Sequence, residues 1–478
     1  MTFTSFNFLI LLPLVVALYQ IIPSRARSLY LLVVSIAFYC TWSLGAAVAL
    51  TAATSLTFHA GKLIGDPTSE RQGRNVFFFA IALLVAYLSL FKIAAALPWR
   101  GGARVVLPLG LSYYTFKLMS YVIDIYWGKI QPAANRIDFA AAIAFFPQLT
   151  AGPIQRPADF LPQVPPQRTM VWQGLSRMVW GLAKKMLIAD NLAPTVNYVY
   201  AHIGGSQVGG LHGAALLAGF YLFPLQLYAD FSALTDIALG MGMMFGIQGP
   251  ENFNRPFTAS SISDFWSRWH MSLTKWLADY VFTPLRMTTR SLGTLGLVIS
   301  ISANMVAIGI WHGLTWGYLA FGFVNAAYFV ADALTARSRA KFFRMRPNLT
   351  RLRDWTGWLL TFHLVLIGLV FFRAHTVSDA TWLLSHALRG LAHAKADVSH
   401  LLAATGAKVL LVGLAGYAAL ELAERLRPDR RLLSFELTAP TWLRLSLRFV
   451  TGAFIAVALV LLTIRSGNHA SPFLYQVF

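Results

Sequence analysis

Charge and cysteine are both scarce in this chain. Only 12% of its 478 residues are Asp, Glu, Lys or Arg, where a soluble domain has about a quarter. A chain so poor in charge cannot cover itself with polar surface, which excludes the soluble protein of about three domains that length alone suggests. The single cysteine, Cys40, excludes an internal disulfide framework and reads as a small buried hydrophobe. No strand-like alternation of polar and apolar residues occurs, which excludes an outer-membrane barrel. Nucleophile elbow, phosphate-cradling loop, dinucleotide fingerprint, HExxH and CxxC are all missing. "GMGMMFG" has the glycines of such a loop but follows no strand, and no metal site is expected.

What the chain has in abundance is apolar length. Hydrophobic residues make up 57% and the mean hydropathy is +0.58. Crossing a hydrocarbon core takes about 20 apolar residues. Runs of that kind lie near 3–22, 29–52, 76–97, 137–151, 211–229, 233–247, 293–311, 313–331, 356–373, 405–423 and 447–464, which predicts roughly ten to twelve spans or half-spans. The expected fold class is all-α, a polytopic helical membrane protein, with residues 1–478 as a single membrane domain. No Lys or Arg precedes the first run, whereas Arg25 and Arg27 follow it. That order argues against a cleavable signal and for an N-terminus outside the cytoplasm.

The net charge of +20 implies no nucleic acid here, because Lys and Arg accumulate in the cytoplasmic loops of membrane proteins. The clusters Arg337–Arg353 and Arg425–Arg431 fit that rule. Attraction of anionic lipid or of a polyphosphate coenzyme is the second reading.

Three connections are unusual. "FFPQLTAGPIQRPADFLPQVPP" is broken by six prolines and reads as either a re-entrant, protein-lined loop or an interfacial linker. "SISDFWSRWHMSLTKWLADYVF" reads as an amphipathic helix with Trp266, His270, Leu273 and Leu277 on its inner side and i,i+4 pairs Asp264–Arg268 and Lys275–Asp279. His270 is then a packed core histidine or part of a site. In "YLFPLQLYADFSALTDIALGMGMMFG", Asp230 and Asp236 are costly in hydrocarbon. Six positions keep them off a common face, so each is an ion pair, a cap or a participant in a site.

The strongest functional signal is an isolated imidazole. From Ser291 to Ala331 the only titratable side chain of the acid–base range is His312, in a segment long enough for two crossings. His312 falls near the turn between them, or inside the bundle. An ionisable residue in a membrane segment is a functional candidate by default, and histidine is the commonest general acid or base.

"FFPQLTAGPI", "DFSALTDIALGMGMMFGIQGPENFNRPFTASSISDFWSRWHMSLTKWLADYVFTPL" and "IGIWHGLTWGYLAFG" resemble the membrane-bound O-acyltransferase (MBOAT) family, in particular its bacterial alginate O-acetylation branch. "LPLGLSYYTFKLMSYVIDIYWG", "VFFRA" and "SPFLYQVF" fit the same branch, while "TPLRMTTR" departs from the "IPLGGNR" usual there. The resemblance implies about 11 transmembrane helices, with re-entrant and interfacial helices, around a central tunnel. It implies that His312 in WHG and His270 in RWHxSL are the catalytic histidines. Trp311, Trp316, Asn304, Asp230 and Trp269 are candidate substrate-binding residues of the tunnel. It further implies a multi-pass protein of the bacterial inner membrane with no permanently bound cofactor. Acetyl-CoA would be the cytoplasmic donor, and acetyl would pass through a periplasmic partner acetyltransferase to a polysaccharide. Relatives acting on peptidoglycan, or carrying D-alanyl groups to teichoic acid, are the near alternative. A proton-coupled transporter or an export scaffold is the alternative from other classes.

Overall fold

Helix starts are marked by small polar residues just ahead of the apolar runs. The side chains of Ser43, Ser69, Asn135, Thr315 and Thr376 each accept a hydrogen bond from a backbone N–H in the first turn that follows. Such caps satisfy donors that a helix terminus otherwise leaves open, a requirement that sharpens where no water is at hand. In a computed structural model of the protein, residues 2–97, 108–166, 168–203, 211–426, 440 and 473 are described. Among them the architecture is helical throughout, with one isolated β-bridge between Phe253 and Trp269.

Six helices among the described residues are long and apolar enough to cross a membrane: Leu44–Gly65, Glu70–Ala96, Gly213–Met244, Arg290–His312, Trp316–Arg344 and Pro347–Arg373. A seventh is gained if Leu391–Thr405 and Ala407–Arg425, bent by 95°, count as one span. Gly406 makes that bend with φ +89°, a conformation glycine adopts freely. The run predicted at 447–464 lies outside the described residues. The runs predicted at 211–229 and 233–247 are one continuous helix, while the run at 29–52 is cut by the turn at Thr41–Ser43. Phe78, Phe79 and Leu90 of the Glu70–Ala96 helix are well exposed, as befits a helix whose surroundings are lipid. Cys40, expected to be buried, is exposed at the end of its helix.

The described residues gather into two compact units, 2–183 with 233–250 and 184–232 with 251–426. In the first, the Leu44–Gly65, Glu70–Ala96 and Leu111–Tyr126 helices pack together around Tyr114, Leu118 and Tyr121. Val171–Ala183 crosses the last turns of the Gly213–Met244 helix at Gly174 and Gly240. A Cβ on Gly174 would meet the Gly240 carbonyl oxygen at 2.3 Å, and one on Gly240 the Gly174 carbonyl oxygen at 2.5 Å. Small residues of this kind let membrane helices approach backbone to backbone. Arg177 pairs with Asp236 at 2.9 Å beside that crossing, so Asp236 is an ion pair. The proline-rich segment is buried from Phe145 to Gln155 and tied by Gln148 Nε2 donating to Gln155 Oε1 at 2.7 Å. It is therefore protein-lined rather than an exposed linker.

In the second unit, Gly293–His312 and Trp316–Arg344 form a tight hairpin against which Thr350–Arg373 packs. The π-helical turn Lys184–Ala189 sits with Asp190–Ala201 and Ala407–Leu426. The amphipathic helix expected over Ser261–Phe282 is not continuous. It runs as Ile262–Arg268 and Met271–Leu277 and then a π turn, and the break falls at His270. Trp266, His270, Leu273 and Leu277 are nonetheless all buried.

Candidate active site

His312 is the last residue of the Gly293–His312 helix and is half-buried. The chain turns through Gly313–Thr315, and Thr315 caps the next helix, so Tyr318, Phe321 and Phe372 come round the imidazole. The ring centroid of His312 lies 4.8 Å from Trp311 and 4.8 Å from Phe372, both edge-on. Tyr318 lies more nearly parallel to it at 6.0 Å and Phe321 edge-on at 6.3 Å. A Cβ on Gly313 would stand 2.7 Å from the Tyr318 ring. Glycine after the histidine is thus what allows the tyrosine to approach.

His270 has a different character. It is 1% exposed, and its φ of +44° makes it one of two non-glycine residues with positive φ among those described, the other being Arg255. A side chain in that region is strained and persists only where the surroundings over-determine it. Here the segment 252–254 does so. Asn252 Oδ1 accepts from Ser272 Oγ at 2.6 Å, and the Asn252 carbonyl accepts from Met271 N at 2.9 Å. Asn254 N donates to the Arg268 carbonyl at 3.0 Å, and Thr274 Oγ1 donates to the Trp269 carbonyl at 3.1 Å. The imidazole meets Phe231 edge-on at 4.8 Å and Trp311 edge-on at 5.6 Å. Burial pushes its pKa down from 6.5 to about 3, because a charged ring would lose its hydration there. His270 is neutral at physiological pH.

Trp311 therefore touches both imidazoles, and one ring separates the two candidate catalytic residues.

Asp230, left open between ion pair and site residue, is an ion pair one residue before the Phe231 that packs on His270. Lys185 Nζ lies 2.8 Å from Asp230 Oδ1 and 2.9 Å from Asp190 Oδ1, and its side chain is 4% exposed. Burial works against the charge on Lys185. The two carboxylates, by proximity and hydrogen bonding, outweigh it and hold the ammonium above the ordinary lysine range. Lys184 Nζ donates to Ser232 Oγ at 2.9 Å. The wide π turn is what aims two successive lysines at one helix, a geometry often found near functional sites.

The remaining candidates separate. Asn304 is buried, shares a helix face with Trp311 seven positions on, and its Oδ1 has no hydrogen-bond partner among the described residues. Trp269 is buried among other rings, with Phe253 at 5.1 Å and Phe265 stacked at 5.7 Å. Trp316 does not join the group. As the first residue of its helix it points outward and is 78% exposed. Sequence reasoning missed Lys185, Asn252, Phe231, Tyr318 and Phe372. Only the pair Lys184–Lys185 inside "GLAKKMLIAD" carried a signal, as charge amid apolar residues.

A family model described as MBOAT, membrane-bound O-acyltransferase family, matches residues 133–371. The chain belongs to this family and is a multi-pass membrane acyltransferase. It is 33% identical over 406 residues to the probable alginate O-acetylase AlgI of Azotobacter vinelandii, which covers 80% of this chain and 77% of that protein. The probable alginate O-acetylase AlgI of Pseudomonas putida is 30% identical over 510 residues, with 100% of both chains covered. Similarity extends to the peptidoglycan O-acetyltransferase of Helicobacter pylori, 26% identical over 395 residues, covering 74% of this chain and 72% of that one.

Proposed function

We propose that this acyltransferase takes acetyl from cytoplasmic acetyl-CoA and passes it across the bacterial inner membrane for O-acetylation of an extracytoplasmic polysaccharide. A periplasmic partner acetyltransferase receives the group. The observation that carries the reading is the half-buried imidazole of His312 walled by Trp311, Tyr318, Phe321 and Phe372, in a chain similar to proteins named as O-acetylases.

In this mechanism His312 accepts the proton of the acceptor hydroxyl as its oxygen bonds to the thioester carbon. The C–S bond then breaks, and the imidazolium returns the proton to the departing sulfur, leaving acyl ester and free thiol. The aromatic wall keeps water from competing for the thioester. Trp311 and Asn304 are the groups we place around the developing oxyanion. His270, held neutral behind Trp311, fixes the indole from the other side.

The test is acetyl transfer in vesicles reconstituted with the purified chain and fed radiolabelled acetyl-CoA, with and without a candidate periplasmic acetyltransferase. Thioester consumption that depends on His312 and labels an acceptor outside the vesicle supports the reading. Proton-coupled solute uptake with acetyl-CoA untouched would make the protein a transporter instead.

A further inference from the structure

At the far end of the Thr350–Arg373 helix from Phe372 lies a cavity of about 470 Å³ whose walls include Phe257, Trp355, Trp358, Phe362 and Tyr417. Trp358 stands roughly 21 Å along the helix axis from Phe372, at 1.5 Å per residue, while Phe257 in the same wall lies 6.1 Å from Trp269, so the cavity opens on the far side of Trp269 from the wall around His312. The box is preformed. Trp358 Nε1 donates to the Phe257 carbonyl at 2.9 Å, Trp358 stacks on Phe362 at 5.9 Å and meets Trp355 edge-on at 5.6 Å. Phe257 meets Phe362 edge-on at 6.0 Å.

Charges of both signs line or adjoin this box. Asp354, which accepts from Arg353 Nε at 2.8 Å, and Glu421 supply carboxylates, and Arg425 a guanidinium. Glu421 Oε1 accepts from Arg255 Nη2 at 3.0 Å and from Arg425 Nε at 3.0 Å. The Arg255 Nε has no hydrogen-bond partner among the described residues. An aromatic cage with adjacent carboxylates is the arrangement that holds an ammonium group, and guanidinium groups beside it suit a phosphate.

The surroundings name the source of such a ligand. The basic segment Arg337–Arg353 ends where the cavity begins, and basic segments of that kind mark the cytoplasmic headgroup level. Trp355, Leu359 and Leu360, on the membrane side of that basic segment, are 69%, 51% and 62% exposed, and the two leucines give a path for acyl chains beside the opening.

We propose that this cavity is a binding site for a phospholipid with a primary ammonium headgroup, phosphatidylethanolamine. The ammonium sits in the cage against Asp354 and Glu421, the phosphate lies against Arg425 and Arg255, and the acyl chains run along Leu359 and Leu360. The exposed Trp355 is the lip of the site.

The experiment is native mass spectrometry of the full chain released from nanodiscs containing equal phosphatidylethanolamine and phosphatidylglycerol. Adducts of phosphatidylethanolamine should exceed those of phosphatidylglycerol by about tenfold, the ratio that 1.4 kcal/mol of preference confers. Glu421→Gln and Trp358→Ala should each abolish the preference. Trp355→Ala, at an exposed position where folding is not at stake, should reduce it several-fold. Equal adducts of the two lipids, an excess of phosphatidylglycerol, or a preference unchanged in all three variants overturns the proposal. Displacement of the lipid one for one by free coenzyme A also overturns it, by assigning the cavity to a nucleotide.

Discussion

The indole of Trp311 meets the imidazole of His270 edge-on at 5.6 Å and, by its own place in the chain, abuts His312 at 4.8 Å. A histidine that is neutral and fully enclosed thereby supports the back of a ring whose other neighbour is half-open. The two imidazoles differ in burial and backbone geometry, and substitutions at them should differ in effect.

His312→Ala should lower acetyl transfer by roughly 10²–10⁴-fold, the usual contribution of a positioned general base, while expression and membrane insertion stay normal. Radiolabelled acetyl transfer by reconstituted protein measures this. Transfer at the wild-type rate by a well-inserted variant rules the base role out.

His270 should make the protein acid-sensitive. The unfolded chain takes up a proton near pH 6.5 and the folded one only near 3. Between these values the unfolded state binds more protons, so stability falls as pH drops through that window, by about 1.4 kcal/mol per pH unit for one site. Asparagine tolerates positive φ better than most residues. His270→Asn should therefore fold and show a shallower loss of melting temperature between pH 7 and pH 5, whereas His270→Val should fail to fold. An acid slope identical to wild type in His270→Asn would remove this histidine from the account.

Lys185→Met should be more damaging than Asp230→Asn. The first removes the cation that joins Asp190 and Asp230, and breaking a buried ion pair by removing one partner costs about 3–5 kcal/mol. The second leaves Lys185 paired with Asp190. Thermal melts in detergent should rank the two in that order, and the reverse ranking would contradict it.

Gly313→Ala should push Tyr318 off His312, since the new methyl carbon falls 2.7 Å from the Tyr318 ring. Overpacking of this sort costs about 1–3 kcal/mol. Tyr318→Ala should relieve it, so a double-mutant cycle should show strong coupling. Additive losses would mean that the ring simply swings clear.

Trp316→Leu should leave transfer within about twofold of wild type, as expected for a substitution away from buried features, because its indole is 78% exposed. The same transfer assay decides, and a large loss would return Trp316 to the site.

Apolar composition, additive along the chain, was enough to make lipid the solvent, and with no strand-like alternation it left helix as the expected repeating structure, because unsatisfied backbone is too costly there. His312 stood out for a similar reason, as a lone titratable group in a stretch where such a group is expensive. The likeness of WHG and RWHxSL to a known family named both histidines, but not what surrounds them. The broken helix at His270 could not be read, since a left-handed residue in a helix-like pattern is disfavoured locally and is imposed here by Asn252, Ser272 and the Phe253–Trp269 bridge. Nor could the partners of Asp230 and Asp236 be read, because they come from a different helix, and no spacing rule relates Lys185 or Arg177 to them. Trp316 misled for the opposite reason: its proximity to His312 in sequence suggested a shared wall, and the turn at Gly313 sends it outward. What a residue prefers by itself is written in order along the chain, whereas what holds it in a disfavoured state is a set of contacts that exists only once the helices have packed.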